Sequence, residues 1–256
     1  MNQFGKLKEF RIFFKMNATE KQTIFNLFKT IDAWNCGYTR EQFKNDLVFT
    51  DDKIESQIKQ QVETTPQKTN SPIIMEELLK KVSRCTRCSL ARTRNNIVFG
   101  QGVTSPEVLV VGEGPGEEED KQGLPFVGKA GLLLDKMLLA IGLERNKNCY
   151  IANIVKCRPP QNRVPFPDEQ SACFSFLETQ IHILKPKMIL CMGKTAIEKI
   201  MNQKISITQQ HGSFFEYNKI PVMVTYHPSA LLRNEELKRP AWNDLKSFKA
   251  RLESLK

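Results

Sequence analysis

Residues 107–120 read EVLVVGEGPGEEED, a run of β-formers that breaks into a glycine-rich turn and then into acids. A strand ending in glycines is a common approach to a phosphate cradle, but here that pattern fails. The dinucleotide fingerprint G-x-G-x-x-G needs a glycine at 117, where Glu117 stands, and no G-K-[ST] follows to make a P-loop. Pro115 removes a backbone N–H, and the acids repel a pyrophosphate. Glu117, Glu118, Glu119 and Asp120 fit the first turn of a short helix, where negative charge is stabilised by about 0.3–1 kcal/mol each. Glu113 differs, because it lies between Gly112 and Gly114 directly off the strand tip. Glycines there let the backbone approach a flat, neutral ligand such as a nucleobase.

Three more apolar runs share the strand character of 107–112: CYIANIV (149–155), KMILCMG (187–193) and IPVMVTY (220–226). Helical segments separate them: GLLLDKMLLAIGL (131–143), DEQSACFSFLETQIHIL (168–184) and TAIEKIMNQ (195–203), with a last helix around 242–256. Strands alternating with helices imply a mostly parallel sheet covered on both faces. Ligands in such sheets bind at the C-terminal strand ends, which places the turn at 112–116 at the mouth of a site. Upstream, IIMEELLKKVSRC (73–85) reads as an amphipathic helix, ETTPQKTNSP (63–72) as a polar linker and residues 1–62 as a helical extension.

Composition bounds the function. Hydrophobic residues make up 40% and charged residues 26%, a globular profile, and no run nears the roughly 18 apolar residues of a membrane span. The first residues are interrupted by Lys8, Glu9, Arg11 and Lys15 too early for a secretory signal, so the expected location is the cytoplasm or the compartment that holds the DNA. The formal charge is +10, of which residues 1–72 supply only +2. The rest of the chain is therefore basic, which suits a polyanionic partner.

Seven cysteines in a chain without an export signal argue against a disulfide framework. Cys149 and Cys191 sit in apolar strand-like runs and read as buried hydrophobes, while Cys36 lies in the extension. Cys85-x2-Cys88 has metal-ligand spacing, with Cys157 and Cys173 downstream. Four thiolates suit a structural zinc or an iron–sulfur cluster. The lack of a second C-x2-C favours the cluster. Arg84, Arg87, Arg92, Arg94, Arg158 and Arg163 crowd these cysteines in sequence and offset thiolate charge or extend a DNA surface. No cysteine has an obvious base beside it, which disfavours a catalytic thiol.

HPSALLR (227–233) leaves the last strand, so His227 emerges at the same sheet edge as Glu113. Leu231, Leu232 and Arg233 then follow in an expected exposed loop. Adjacent leucines are either core or, beside a DNA site, a wedge that fills the gap left by a displaced base.

Taken together, GEGPGEEED (112–120), GLPFVGKAG (123–131), NIVKCRPP (153–160), HPSALLR and the four cysteines resemble the family 4 uracil-DNA glycosylases, the iron–sulfur branch of that superfamily. The resemblance covers residues 73–256 and not the extension. It implies a three-layer α/β/α sandwich on a central four-stranded parallel sheet, and removal of uracil from single- or double-stranded DNA. Carried over, Glu113 and Gly114 would line the uracil pocket near the attacking water and Phe126 would stack on the flipped base. Asn153 would read its N3–H and O4, and His227 would face O2. Cys85, Cys88, Cys157 and Cys173 would hold a structural [4Fe-4S] cluster. Better-known uracil glycosylases place a water-activating aspartate where this chain has Gly114, which leaves Glu113 as the nearest carboxylate. A related branch traps DNA through a histidine in a basic insertion after the third cysteine; CRPPQNRVPFPDEQ (157–170) has neither. No lysine stands out as a Schiff-base nucleophile, so the expected enzyme is monofunctional. The alternative is a non-catalytic iron–sulfur DNA-binding module that serves a replication or repair partner, with residues 1–62 as the contact.

Overall fold

The computed structural model describes residues 71–255. The expected helical extension over 1–62, Cys36 and most of the linker lie outside the described residues. Ser71 and Pro72, expected to end the linker, instead open helix α1 (Ser71–Ser83). Its Met75, Leu78 and Val82 recur at helical spacing and are buried.

The chain then forms β1 (Gln101–Gly102), β2 (Val108–Gly112), α2 (Glu117–Gln122), α3 (Lys129–Leu139), β3 (Cys149–Asn153) and α4 (Pro167–Leu184). It continues with β4 (Met188–Met192), α5 (Lys194–Met201), α6 (Ile207–Gln210), β5 (Phe214–Tyr217), β6 (Ile220–Thr225), α7 (Pro228–Arg233) and α8 (Lys238–Glu253). The sheet order is β1-β3-β2-β4-β6-β5. The inner four strands are parallel, as expected, and β1 and β5 add antiparallel edges.

The inner strands are continuous apolar runs because both faces are covered. Leu109, Val111, Ile189 and Val224 pack with Val82, Leu177 and Ile197 of α1, α4 and α5. Val110, Leu190 and Met223 pack with Leu134, Leu138, Leu245 and Phe248 of α3 and α8 on the other side. These are the three expected layers. Because β3 and β4 flank β2 on opposite sides, the connections diverge at its C-terminal end and open a crevice there. Gly112, Asn153, Met192 and Thr225 are the last residues of the four parallel strands. Among the described residues no helix is long and apolar enough to cross a membrane.

Candidate active site

At the crevice, Gly112 pairs with Asn153 across β2 and β3. A Cβ on Gly112 would lie 2.4 Å from Asn153 Oδ1 and 2.6 Å from Phe126 Cζ. Only glycine therefore lets the strand tip sit against both side chains. Asn153 is 1% exposed, and neither its Nδ2 nor its Oδ1 has a hydrogen-bond partner. These are the only such buried side-chain atoms among the described residues. Leaving a buried donor and acceptor unmet costs about 1–3 kcal/mol each, and such an exception in a folded protein points to a missing ligand or water.

Phe126 is placed with comparable care. Its φ is +53°, rare for a bulky residue, and its carbonyl fits only because residue 131 is glycine: a Cβ there would lie 1.9 Å from Phe126 O. Arg145 donates to the carbonyls of Pro125 and Phe126 at 3.0 and 2.9 Å while paired with Asp135. Glu119 Oε1 accepts from the backbone N–H groups of Val127 and Gly128 at 2.9 Å, and its Oε2 accepts from Gly116 N at 3.1 Å. Glu119 thus ties the glycine turn to the Phe126 loop.

That contact revises the reading of the acidic run. Glu117 and Glu118 are exposed partners of Lys121, in keeping with a helix first turn. Asp120 is 1% exposed and accepts from Asn95 N, Asn95 Nδ2 and Asn96 N. The two inner acids hold neighbouring backbone in place. Sequence reasoning missed Glu119, Asp120 and Arg145 in this role; the Glu119–Gly116 contact has the local spacing of a capping box, but the bonds to Val127, Gly128, Asn95, Pro125 and Phe126 follow no local pattern.

His227 caps α7. Its Nδ1 accepts from Ser229 N at 3.1 Å and lies 2.7 Å from Ser229 Oγ. A backbone N–H can only donate, so Nδ1 carries the lone pair and the proton of the neutral ring is on Nε2. Burial, and secondarily Arg233, push its pKa down to about 4 against the opposing pull of Glu119. At neutral pH His227 is therefore an uncharged donor. Its ring centroid lies 5.6 Å from that of Phe126. Glu113, Gly114, Thr195 and Ser229 line one cleft with His227. Glu113 Oε2 accepts from Thr195 Oγ1 at 2.5 Å, which fixes the carboxylate at the mouth.

The candidate wedge residues are not in a loop but in α7, and they separate by helix phase. Leu231 is 2% exposed and packs with Tyr226 and Ala241, so it is core and not a wedge. Leu232, at 48%, and Arg233 are the exposed pair.

Cys85, Cys88, Cys157 and Cys173 line one pocket, shared with Arg94. Arg94 Nη1 donates to Cys157 Sγ at 3.2 Å and Lys156 N donates to Cys173 Sγ at 3.3 Å. Of the other crowding arginines, Arg87 stacks over Phe176 and Arg163 pairs with buried Glu169. Among the described residues no three His, Cys, Asp or Glu side chains are placed to hold a single metal ion. Cys149 and Cys191 are buried within β3 and β4, and burial pushes both thiols up, Cys149 to about 12. Neither is a nucleophile at neutral pH.

Residues 99–246 match the Uracil DNA glycosylase superfamily. The Type-4 uracil-DNA glycosylase of Thermotoga maritima is 45% identical over 181 residues, 69% of this chain and 94% of that protein. Those of Sulfurisphaera tokodaii and Archaeoglobus fulgidus are 41% and 37% identical over 68% of this chain, covering 83% and 91% of those proteins. At this identity and coverage, the chain belongs to the type-4 family of the uracil-DNA glycosylase superfamily.

Proposed function

We propose that this protein hydrolyses the N-glycosidic bond of uracil in DNA, leaving an abasic site for repair. The observation that carries the reading is the unpartnered amide of Asn153, enclosed beside Phe126 at the tip of β2. Its Oδ1 accepts from uracil N3–H and its Nδ2 donates to O4. Cytosine presents an acceptor and a donor at the same places, so like would meet like and both groups would stay unpaired. The base must leave the helix stack to reach this depth. Phe126 would then stack on it, while exposed Leu232 and Arg233 of α7 would fill the gap left in the duplex.

Bond cleavage leaves negative charge on the uracil ring and positive charge on the sugar. Nε2–H of His227 would donate to the O2 where that negative charge gathers. A preorganised donor of this kind contributes about 3–4 kcal/mol to the transition state. Glu113, held by Thr195, supplies a carboxylate at the mouth and orients the attacking water. Gly114 keeps the turn slim beside it.

Cys85, Cys88, Cys157 and Cys173 fit a [4Fe-4S] cluster. They line a shared pocket, and N–H donors from Arg94 and Lys156 face two of the sulfurs, as thiolate ligands favour. Held by these four residues, such a cluster would tie together the 85–88 loop, the β3 exit and α4. The expected preparation is brown, with the broad visible absorbance of an iron–sulfur cluster. A colourless protein that contains zinc would exclude this assignment.

The direct test is an end-labelled oligonucleotide with one uracil. Scission at the uracil after alkali, and none before it, is the expected result for a monofunctional glycosylase. Tight retention on uracil-DNA without base release would instead support a non-catalytic module. A Gly112→Ala variant should lose about tenfold or more in kcat/KM, because its methyl group displaces either the Asn153 amide or the Phe126 ring. Single-turnover rates on the same oligonucleotide measure that loss.

A further inference from the structure

Lys156 is among the largest fully enclosed side chains, at 1% exposed, and the chemistry above does not use it. A lysine is rarely buried unless its donors are met. Here Nζ donates to the main-chain carbonyl of Asn153 at 3.0 Å and to Gln180 Oε1 at 2.7 Å. Gln180, itself fully buried on α4, donates through Nε2 to the carbonyl of Phe99 at 3.0 Å. The ammonium is thus anchored to α4 and, through Gln180, to the backbone at Phe99.

The main chain of the same residue faces the cysteines. Lys156 N donates to Cys173 Sγ at 3.3 Å, and Lys156 O accepts from Val98 N at 2.8 Å. The next residue is Cys157. Residues 153–157 therefore carry the base reader at one end and a cage cysteine at the other, with Lys156 bonded to both regions. Asn153 has no side-chain partner to hold its amide in place. Its aim depends on its backbone, and the Asn153 carbonyl is what Lys156 holds.

We propose that Lys156 is a positioning residue that couples the cysteine cage to uracil reading, by fixing the Asn153 backbone so that the amide stays aimed at the base. This rests on the function proposed above. It makes the cage more than a remote staple, because order at Cys157 and Cys173 is transmitted along one short segment to Asn153.

The test compares wild type with Lys156→Met and Lys156→Arg for kcat, KM, inhibition by free uracil, melting temperature and visible cluster absorbance. In Lys156→Met, inhibition by free uracil should weaken about tenfold or more and KM should rise, with absorbance per protein retained. Lys156→Arg keeps a donor and should recover part of the loss. A Lys156→Met enzyme with wild-type KM and uracil inhibition, altered only in melting temperature, would overturn the proposal. Should Lys156→Met not accumulate folded, Gln180→Met carries the same test, since it removes the anchor on α4. Weakened uracil inhibition there supports the proposal and unchanged inhibition overturns it. A wild type that releases no uracil would instead sink the function itself, whereas an active wild type with unaltered variants sinks only the coupling.

Discussion

Replacing His227 with alanine should lower kcat for uracil release by about 10²–10³-fold, with little change in DNA binding. The loss falls on kcat because Nε2–H meets its strongest acceptor only as charge reaches the uracil ring. The same residue makes a pH prediction. Its folded pKa is about 4 against an ordinary 6.5. Across that window the unfolded chain binds more protons than the folded one, so stability falls as the pH is lowered through it. The His227→Ala variant should show a shallower drop in melting temperature between those pH values. The wild-type rate should carry no inflection near 6.5 from this group, because the ring is already neutral there. A variant with near wild-type kcat would remove His227 from the chemistry.

Asn153→Leu should separate activity from stability. The substitution removes two buried polar atoms that have no partner in the fold, so the melting temperature should hold or rise. At the same time both contacts to the uracil edge vanish. At about 1–3 kcal/mol each, kcat/KM on uracil-DNA should fall by at least about thirtyfold. Thermal unfolding and single-turnover kinetics on one preparation read both quantities. A large loss of stability would mean that Asn153 is a structural residue whose amide is satisfied in solution.

Much of this architecture is legible in the sequence because the inner strands are buried on both faces and so read as continuous apolar runs. β1 carries no such signal, being only Gln101–Gly102. β5, FFEY, alternates exposed and half-buried residues at an edge. Its hairpin turns through Asn218 and Lys219, both with positive φ, where a glycine would have announced the turn. The adjacent leucines at 231 and 232 cannot be told apart until the phase of α7 is known, and only then does Leu231 fall into the core. The side chains proposed to touch the base are readable from their motifs. Glu119, Arg145 and Lys156, which bond to the backbone around those side chains, carry no such motif, and only the fold reveals their contacts.

The central claim is that Asn153 reads the N3–H and O4 edge of uracil. The most direct measurement is inhibition of base release by free uracil beside 3-methyluracil, which keeps O4 and the ring but lacks the N3 proton. The structure leads to inhibition by uracil and none, or far weaker inhibition, by the methylated base, because Asn153 Oδ1 would face a methyl group in an enclosed site. Equal inhibition by the two would contradict the account and place the recognition of uracil elsewhere.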